Sequence, residues 1–492
     1  MKAKHYFKKV PLAIMLTSIL TGCSLAPQSE VPDMTLSQAY TLTEGVSETS
    51  IADVSNWWMA FNDPVLNALV EKAQQQNIPL KMASERIQMA QSYQQMVASF
   101  KVPTVSLGAG YYNYQISEND PLLGAAVSPV SVPSSMQPML GQSVTVMDQQ
   151  NDGFFAGANI SWELDLFGRL DNQSDAAAIR VEQVVIYQEA LNTLITADVI
   201  HNYIQYRGAK ARYALANETI EDQKRTLALV EKMVNSGYGS ELDLAKARTG
   251  LISMQAILPQ LNIAAHIHQQ RLGILLAESN EQMEMQLSES QPIPELTELI
   301  PVGLPSDLLK RRADIRIAER EIAALDKELG VAVANRYPKV FLTGGPGLVA
   351  GDVSDLFSSD SLAWGGAVGV NWNIFDGGRG EALVDIQEAK TKNAMLGYQH
   401  TVNGAFSEVE TVLYAYDNSQ QYQQKMTEAA NESEKALDKA RSLYKAGLIN
   451  HLAVLDAQRQ HNMIKERIIA AQLQTAQSIV SVHKALGGDW KL

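Results

Sequence analysis

NISWELDLFGR, residues 159–169, puts apolar side chains at even positions (Ile160, Trp162, Leu164, Leu166) and polar ones at odd positions (Asn159, Ser161, Glu163, Asp165). Successive residues of an extended chain point to opposite faces, so this is a strand with one greasy and one wet face. Gly168 and Arg169 end it, and a long helical run begins. The chain says this again at VNWNIFDGGR, residues 370–379, where Val370, Trp372 and Ile374 alternate with Asn371 and Asn373. Trp162 and Trp372 are 210 residues apart, and so are Arg169 and Arg379.

The repeat is wider than one strand. Before each Trp strand lies another, introduced by proline: Pro103 leads into VSLGAGYY (105–112) and Pro338 into VFLTGGPGL (340–348). Gly and Ser fill much of one face, which suits the wall of a wide lumen better than a packed core. Four strands are expected, at about 103–115, 153–166, 338–350 and 362–376. The connection at about 116–152 is rich in Pro, Ser, Gly and Met, and is longer than an ordinary loop. Its counterpart falls at about 351–360. After each Trp strand a helical run, Arg169 to Gly237 or Arg379 to Gly447, would reach roughly 100 Å if continuous at about 1.5 Å per residue. Both runs stop at glycine-marked turns and return as shorter helices, about 240–276 and 450–486. The segments before the strands, about 64–100 and 306–336, are also near half length. The fold class is therefore mixed α and β, built from two internal structural repeats.

The half-length helices carry a packing code. Ile315, Ala318, Ile322, Leu325, Leu329 and Ala332 form a heptad seam, and Leu80, Ala83, Ile87, Ala90, Gln94 and Val97 hold the same register in the first half. A second stripe runs beside it: Ile317, Ala324 and Val331, matched by Met82, Met89 and Met96. At about 100° per residue the two stripes lie roughly 130° apart. Two seams that far apart imply a neighbour on each side, hence a ring of helices around a hollow. A helix buried in an ordinary bundle is the competing explanation. A soft-metal path along the three methionines is a weaker reading than packing.

The N-terminus reads as a secretory signal: Lys2, Lys4, Lys8 and Lys9 precede an apolar run from Val10 to Leu20. It ends in LTGC, which resembles the lipobox of bacterial lipoproteins, so Cys23 is expected to carry a diacylglycerol and an N-acyl chain such as palmitate. Ser24 resembles the outer-membrane sorting pattern. Cys23 is the only cysteine, which excludes an internal disulfide and a paired-cysteine zinc site. Loss of residues 1–22 removes four lysines and no acid, and moves the formal net charge from −14 to −18. Such acidity argues against nucleic acid as a partner. No other run approaches 18 consecutive apolar residues, so a membrane crossing would have to use strands. His266 and His268 are two apart and diverge on a helix, a poor metal pair. Gly377-Gly378-Arg379-Gly380 lacks the ending of a phosphate loop. No catalytic constellation, metal site or further cofactor is expected.

Four strands cannot close a barrel, and a spanning sheet cannot keep open edges. More than one chain is needed; strand count by itself does not settle on three. The chain resembles the TolC-like outer-membrane efflux channels, in their lipoprotein branch, through WWMAFNDPVLNALVEKAQQQN (57–77), LPSDLLKRRADIRIAERE (304–321), NWNIFDGGR (371–379) and YKAGLINHLAVLDAQR (444–459). The resemblance covers essentially the whole mature chain. One departure is Ala313, where the family usually has proline after the double arginine. Membership implies a homotrimer with a 12-stranded outer-membrane barrel, a 12-helix coiled-coil tunnel and a mixed equatorial belt. On that reading residues 1–22 are the signal, 23–63 a tail and equatorial segment, 64–276 and 306–486 the two repeats, 277–305 an equatorial linker, and 487–492 a C-terminal tail. It also implies docking to a periplasmic adaptor and an inner-membrane pump, for export of drugs, detergents or other small toxic molecules. A type I protein secretion channel, or a structural coiled-coil envelope lipoprotein, are the alternatives.

The resemblance also places a gate beyond the glycine turns. It maps acidic and apolar rings onto Leu452, Asp456 and Asp243, puts Arg459 where neighbouring helices are tethered, and makes Gly237 and Gly447 the tip that an adaptor touches. Like charges crowded on an axis repel unless paired or hydrated, and favour cations over anions. Ordinary readings stand beside these: Ser240 to Asp243 looks like a capping-box variant, and Asp456 with Arg459 like an i,i+3 ion pair.

Overall fold

The computed structural model describes residues 31–34, 40–41, 46–47, 56–288, 292–295, 300–301 and 305–488. The expected signal and Cys23 lie outside the described residues. Helices α1 (Pro64–Gln76) and α2 (Ile78–Ala98) lead into strands β1 (Thr104–Gln115) and β2 (Gln150–Leu164). Helix α3 (Arg169–Asn235) follows, then α4 (Glu241–Gln255), α5 (Ile257–Leu276) and the short α6 (Asn280–Gln286). The second half brings α7 (Ala313–Ala334), β3 (Lys339–Ala350), β4 (Leu362–Asn371), α8 (Arg379–Lys445) and α9 (His451–Ala485). Helices α3 and α8 each run 67 residues.

The chain divides into two compact units. One gathers Ser92–Ala178 and Ala324–Thr391, and it contains the sheet. The four strands form an antiparallel meander in the order β1-β2-β3-β4, so β1 and β4 are edges. The register aligns one apolar face across all four strands. Val105 pairs with Ile160, Trp162 with Leu342, Leu342 with Val368, and Leu348 with Leu362. Trp364, 84% exposed, and Leu107, 86% exposed, lie on that face, and none of the described residues buries them. The opposite face carries small and polar residues: Ser106 opposite Asn159, Ser161 opposite Thr343, Gly345 opposite Gly365.

Both tryptophans of the repeated stretch hold the strand ends in one way. Trp162 Nε1 donates to the Lys101 carbonyl at 2.9 Å, and Trp372 Nε1 to the Arg336 carbonyl at 3.0 Å. In each case the acceptor lies two residues before the proline that opens the neighbouring strand. Arg169 then turns back as a fork onto Glu163, with Nε and Nη2 at 2.9 and 2.8 Å from the two carboxylate oxygens.

Four expected boundaries move, each for a local reason. The last strand stops at Asn371, and Trp372 leaves the ladder to reach Arg336. The return helix expected at 240–276 breaks at Ala256, because Pro259 cannot donate to Gln255 and its ring crowds that carbonyl. The helix expected at 64–100 breaks at Asn77, two residues before Pro79. Asn77 takes an extended ψ of 125°, its side chain accepts from Leu80 N–H at 3.1 Å, and its Nδ2 donates to the Leu275 carbonyl at 2.8 Å. The helix expected from 306 begins at Ala313, since Arg312 is extended.

The other unit gathers Glu30–Gln91, Ile179–Ala323 and Lys392–Leu492, and holds the main core. There α7 has helices on two sides. Arg316 and Arg320 pair with Glu189 and Glu182 of α3 at 2.6 and 3.2 Å, and Arg180 of α3 pairs with Glu321. Arg312, just before α7, pairs with Glu408 of α8 at 2.8 Å. Helix α2 differs. Its seam residues Leu80, Ala83 and Val97 are buried and Ile87, Ala90 and Gln94 half-buried, but Met82, Met89 and Met96 are all exposed.

Two buried polar sites anchor this unit. Asp63 caps α1 by accepting from Val65 and Leu66 N–H at 2.9 and 3.1 Å, and its second oxygen accepts the Tyr203 hydroxyl at 2.6 Å. The Tyr203 oxygen in turn accepts from Arg207 Nε at 2.9 Å and Nη2 at 2.7 Å. All three residues are buried. Burial, the bond to Asp63 and its charge push the Tyr203 phenol upward, against the pull of Arg207. Elsewhere His483 stacks on Trp57 with ring centres 4.0 Å apart, and burial pulls its pKa down to about 3.

Tyr203→Phe removes the hydroxyl shared by Asp63 and Arg207, and should cost roughly 1–3 kcal/mol. The readout is a lower thermal midpoint of the detergent-solubilised protein; an unchanged midpoint would remove the hydroxyl from the anchor. His483 gives a pH prediction. Its folded pKa lies below the ordinary 6.5, so from pH 6.5 down to about 3 the unfolded chain takes up a proton that the folded chain refuses. Stability is therefore lost as pH falls through that window, by roughly 1 kcal/mol per pH unit. His483→Phe, which keeps a ring against Trp57, should flatten the acid side of the midpoint–pH curve.

Candidate functional site

The two glycine turns are the same structure. At the end of α3, Gly237 N–H bonds the Val234 carbonyl at 3.0 Å and Tyr238 N–H bonds Met233 at 2.9 Å. At the end of α8, Gly447 N–H bonds Tyr444 at 2.9 Å and Leu448 N–H bonds Leu443 at 3.0 Å. This is the Schellman pairing, which requires a left-handed residue at the first position past the helix cap. Gly237 and Gly447 supply it with φ of 77° and 74°. Three residues later each return helix receives a cap: Ser240 Oγ accepts Asp243 N–H at 3.1 Å, and Asn450 Oδ1 accepts Ala453 N–H at 3.1 Å.

The sequence-derived gate residues fall into two groups. The Asp243 carboxylate accepts the Ser240 hydroxyl at 2.7 Å, so it is part of the cap. Asp456, Leu452 and Arg459 are exposed on α9. The expected Asp456–Arg459 ion pair does not form; among the described residues neither side chain has a partner in the chain. Arg459 lines a groove of about 430 Å³ with Leu455, Met463, Met254, Ile257 and Leu261, between α9, α3 and α5. Asp456 does not line it. The structure adds one residue that sequence reasoning passed over: Leu242, 62% exposed, follows the Ser240 cap as Leu452 follows the Asn450 cap. The 210-residue offset could have found it. The same offset matches Asp456 to Lys246, not to Asp243.

Across each hairpin the helices are tied by polar contacts at matching positions. Arg248 of α4 reaches Glu231 of α3 at 3.4 Å, and Arg441 of α8 reaches Gln458 of α9 at 2.8 Å. Helix α9 is further tied to α3 by Lys465 with Glu218 at 3.2 Å and Asn462 with Thr219 at 3.2 Å.

A strand meander with an apolar face and open edges, continued by long helices with capped turns, is the make-up of a membrane-channel subunit whose helices extend beyond the bilayer. The sequence pattern of the outer membrane efflux protein family matches residues 69–278 and 304–488. The chain is 28% identical to outer membrane protein OprJ of Pseudomonas aeruginosa over 481 residues, 97% of this chain and 95% of that one. It is 27% identical to the cation efflux system protein CusC of Escherichia coli over 494 residues, 98% and 99% of the two chains. Among solved structures it superposes on the outer-membrane channel OprN with a TM-score of 0.82, at 28% identity, covering 96% of this chain and all of that one. This chain belongs to the outer membrane efflux protein family and is an efflux channel of the outer membrane.

Ser240→Ala and Asn450→Ala each delete one cap and should cost about 1 kcal/mol locally. Faster amide exchange over 241–247 in the first variant and 451–457 in the second is the expected result. Exchange identical to the parent would mean that the turns hold without their caps.

Proposed function

We propose that three copies of the chain assemble the exit duct of a tripartite efflux pump, with a gate at the capped helical turns. The observation that carries the reading is the sheet. It has an apolar face and two unpaired edges, and a spanning sheet has to close. Four strands per chain give twelve in a trimer, enough for an open bore. The helices support the same assembly: the exposed Met82, Met89 and Met96 of α2 form an apolar stripe, and the exposed Leu383 and Ile386 of α8 an apolar patch, that a neighbouring copy would cover. The two internal repeats let each chain contribute four helical columns, two of them α3 and α8 and two built from half-length helices. Twelve columns then continue the barrel as a tunnel, and the pieces between the repeats form a belt. An acyl anchor on Cys23 would hold the assembly in the outer-membrane lipid.

At the tip, Leu452 and Leu242 would form the apolar ring and Asp456 the acidic one. Asp456 is preferred to Asp243 as the charged gate residue because Asp243 is engaged by Ser240, whereas Asp456 has no partner among the described residues of its own chain. Arg459 would meet a neighbouring helix. Opening is an iris-like untwisting of α8 and α9, driven by a periplasmic adaptor that engages the turns at Gly237 and Gly447 and delivers cargo from an inner-membrane pump. The cargo class is small toxic molecules, drugs and detergents among them; the named role of CusC extends the range to cations. The protein supplies a path and a gate, and no covalent chemistry.

In planar bilayers Asp456→Ala should conduct more than the parent and lose cation preference. In cells it should admit a large antibiotic that the parent excludes. A correctly assembled variant with unchanged conductance and uptake would take Asp456 out of the gate. A native mass of one chain in mild detergent would refute the trimer itself.

A further inference from the structure

His268 of α5 finds a partner that its own helix does not offer. It meets His201 of α3, with ring centres 6.4 Å apart and planes at 65°. Each imidazole has its Nδ1 against an amide oxygen. His268 Nδ1 lies 3.0 Å from Asn202 Oδ1, and His201 Nδ1 contacts Gln477 Oε1 of α9. An amide oxygen only accepts, so both Nδ1 atoms carry the proton and both Nε2 atoms keep a lone pair.

The two amides are held the right way round by their other contacts. Asn202 Nδ2 donates to the Asp198 carbonyl and to Asp198 Oδ1, both at 2.7 Å. The second Asp198 oxygen is held by Arg271 Nε at 3.1 Å. Gln477 Nε2 donates to the His201 carbonyl at 3.4 Å. An imidazole fixed through Nδ1 by a hydrogen-bonded partner, with Nε2 bare, is how proteins present a metal-ligating histidine. Two imidazoles on opposite sides of one ion, each nitrogen about 2 Å from it, put their ring centres roughly 6–6.5 Å apart, and the observed separation is 6.4 Å.

We propose that His201 and His268 form a two-imidazole clip, one ring on either side, for a divalent transition cation of the nickel and copper(II) class. Imidazole nitrogen suits these ions and not calcium or magnesium. Among the described residues no group of three or more His, Cys, Asp or Glu is placed to hold a metal, so water completes the coordination and binding is exchangeable. A bound ion ties α3 to α5, and Gln477 brings α9 to the same point. The clip thus stiffens the junction of three helices.

The test uses the full-length protein in detergent, without a polyhistidine tag, stripped with chelator and dialysed against Ni²⁺ or Cu²⁺. The expected result is one ion per chain, a raised thermal midpoint, and nitrogen hyperfine structure in the spin-resonance spectrum of the Cu²⁺ form. His201→Gln and His268→Gln should each weaken binding at least tenfold, while His266→Gln, on the same helix as His268, should bind as the parent does. Midpoints measured without metal separate loss of the clip from loss of the fold. Parent-level binding in both clip variants, or no ion bound by the parent, overturns the proposal.

Discussion

A peptide group in hydrocarbon has to find its hydrogen-bond partner in protein, because there is no water to supply one. In this chain that requirement falls on the outer edges of β1 and β4. Between them the strands pair with one another, from Thr104 opposite Ser161 to Lys339 opposite Asn371, with one gap in the β2–β3 ladder between Gly157 and Ile160, beside Pro346. The two edges are long, and charged residues are nearly absent from them, so none of the usual devices that blunt a free edge is present. Closure with further copies follows from this more directly than from any feature of the helices. The proposed tunnel is then a consequence of where the strands deliver the chain.

The 210-residue offset reappears in the structure as matched contacts in the two halves of the chain. Trp162 and Trp372 make one hydrogen bond, Gly237 and Gly447 one turn, Ser240 and Asn450 one cap. The departures from the offset are as informative. Glu163 corresponds to Asn373, so the fork that secures Arg169 cannot be repeated at Arg379. Asp456 corresponds to Lys246.

Periodicity made the strands and the long helices legible, because alternation in 159–166 and the heptads of 315–332 are properties of neighbouring residues. The glycine stops were legible for the same reason. What the pattern left out are effects that act across a few residues against the period, or between distant segments. Pro79 and Pro259 break helices whose apolar pattern runs on without interruption. Trp372 keeps the strand alternation in sequence yet leaves the ladder for a carbonyl supplied by another segment. At the tip, i,i+3 spacing allowed an Asp456–Arg459 pair, but spacing does not decide whether two exposed side chains spend their entropy on one contact. The pairing of His201 with His268 joins different helices and had no signal in either segment.

The distribution of packing also bears on where such a protein can move. Trp58, Leu66, Leu69, Ile200, Tyr203, Ile204, Leu272, Leu276 and Met283 are almost fully buried in one cluster, with the Asp63–Tyr203–Arg207 chain inside it. The α3–α4 hairpin has only Val230, Leu244 and Ala247 as a separate buried cluster, flanked by Leu227 and Val234. Polar ties such as Arg248–Glu231 and Arg441–Gln458 carry much of what remains there, and exposed pairs of this kind are individually worth little. Segments with few buried contacts open at low free energy, whereas those in the main core open only with the whole domain. The gate proposed at the turns would therefore rearrange without unfastening the helices from their core. The Schellman turns and their caps would keep each hairpin intact, so that such a motion would be one of paired helices rather than of frayed ends.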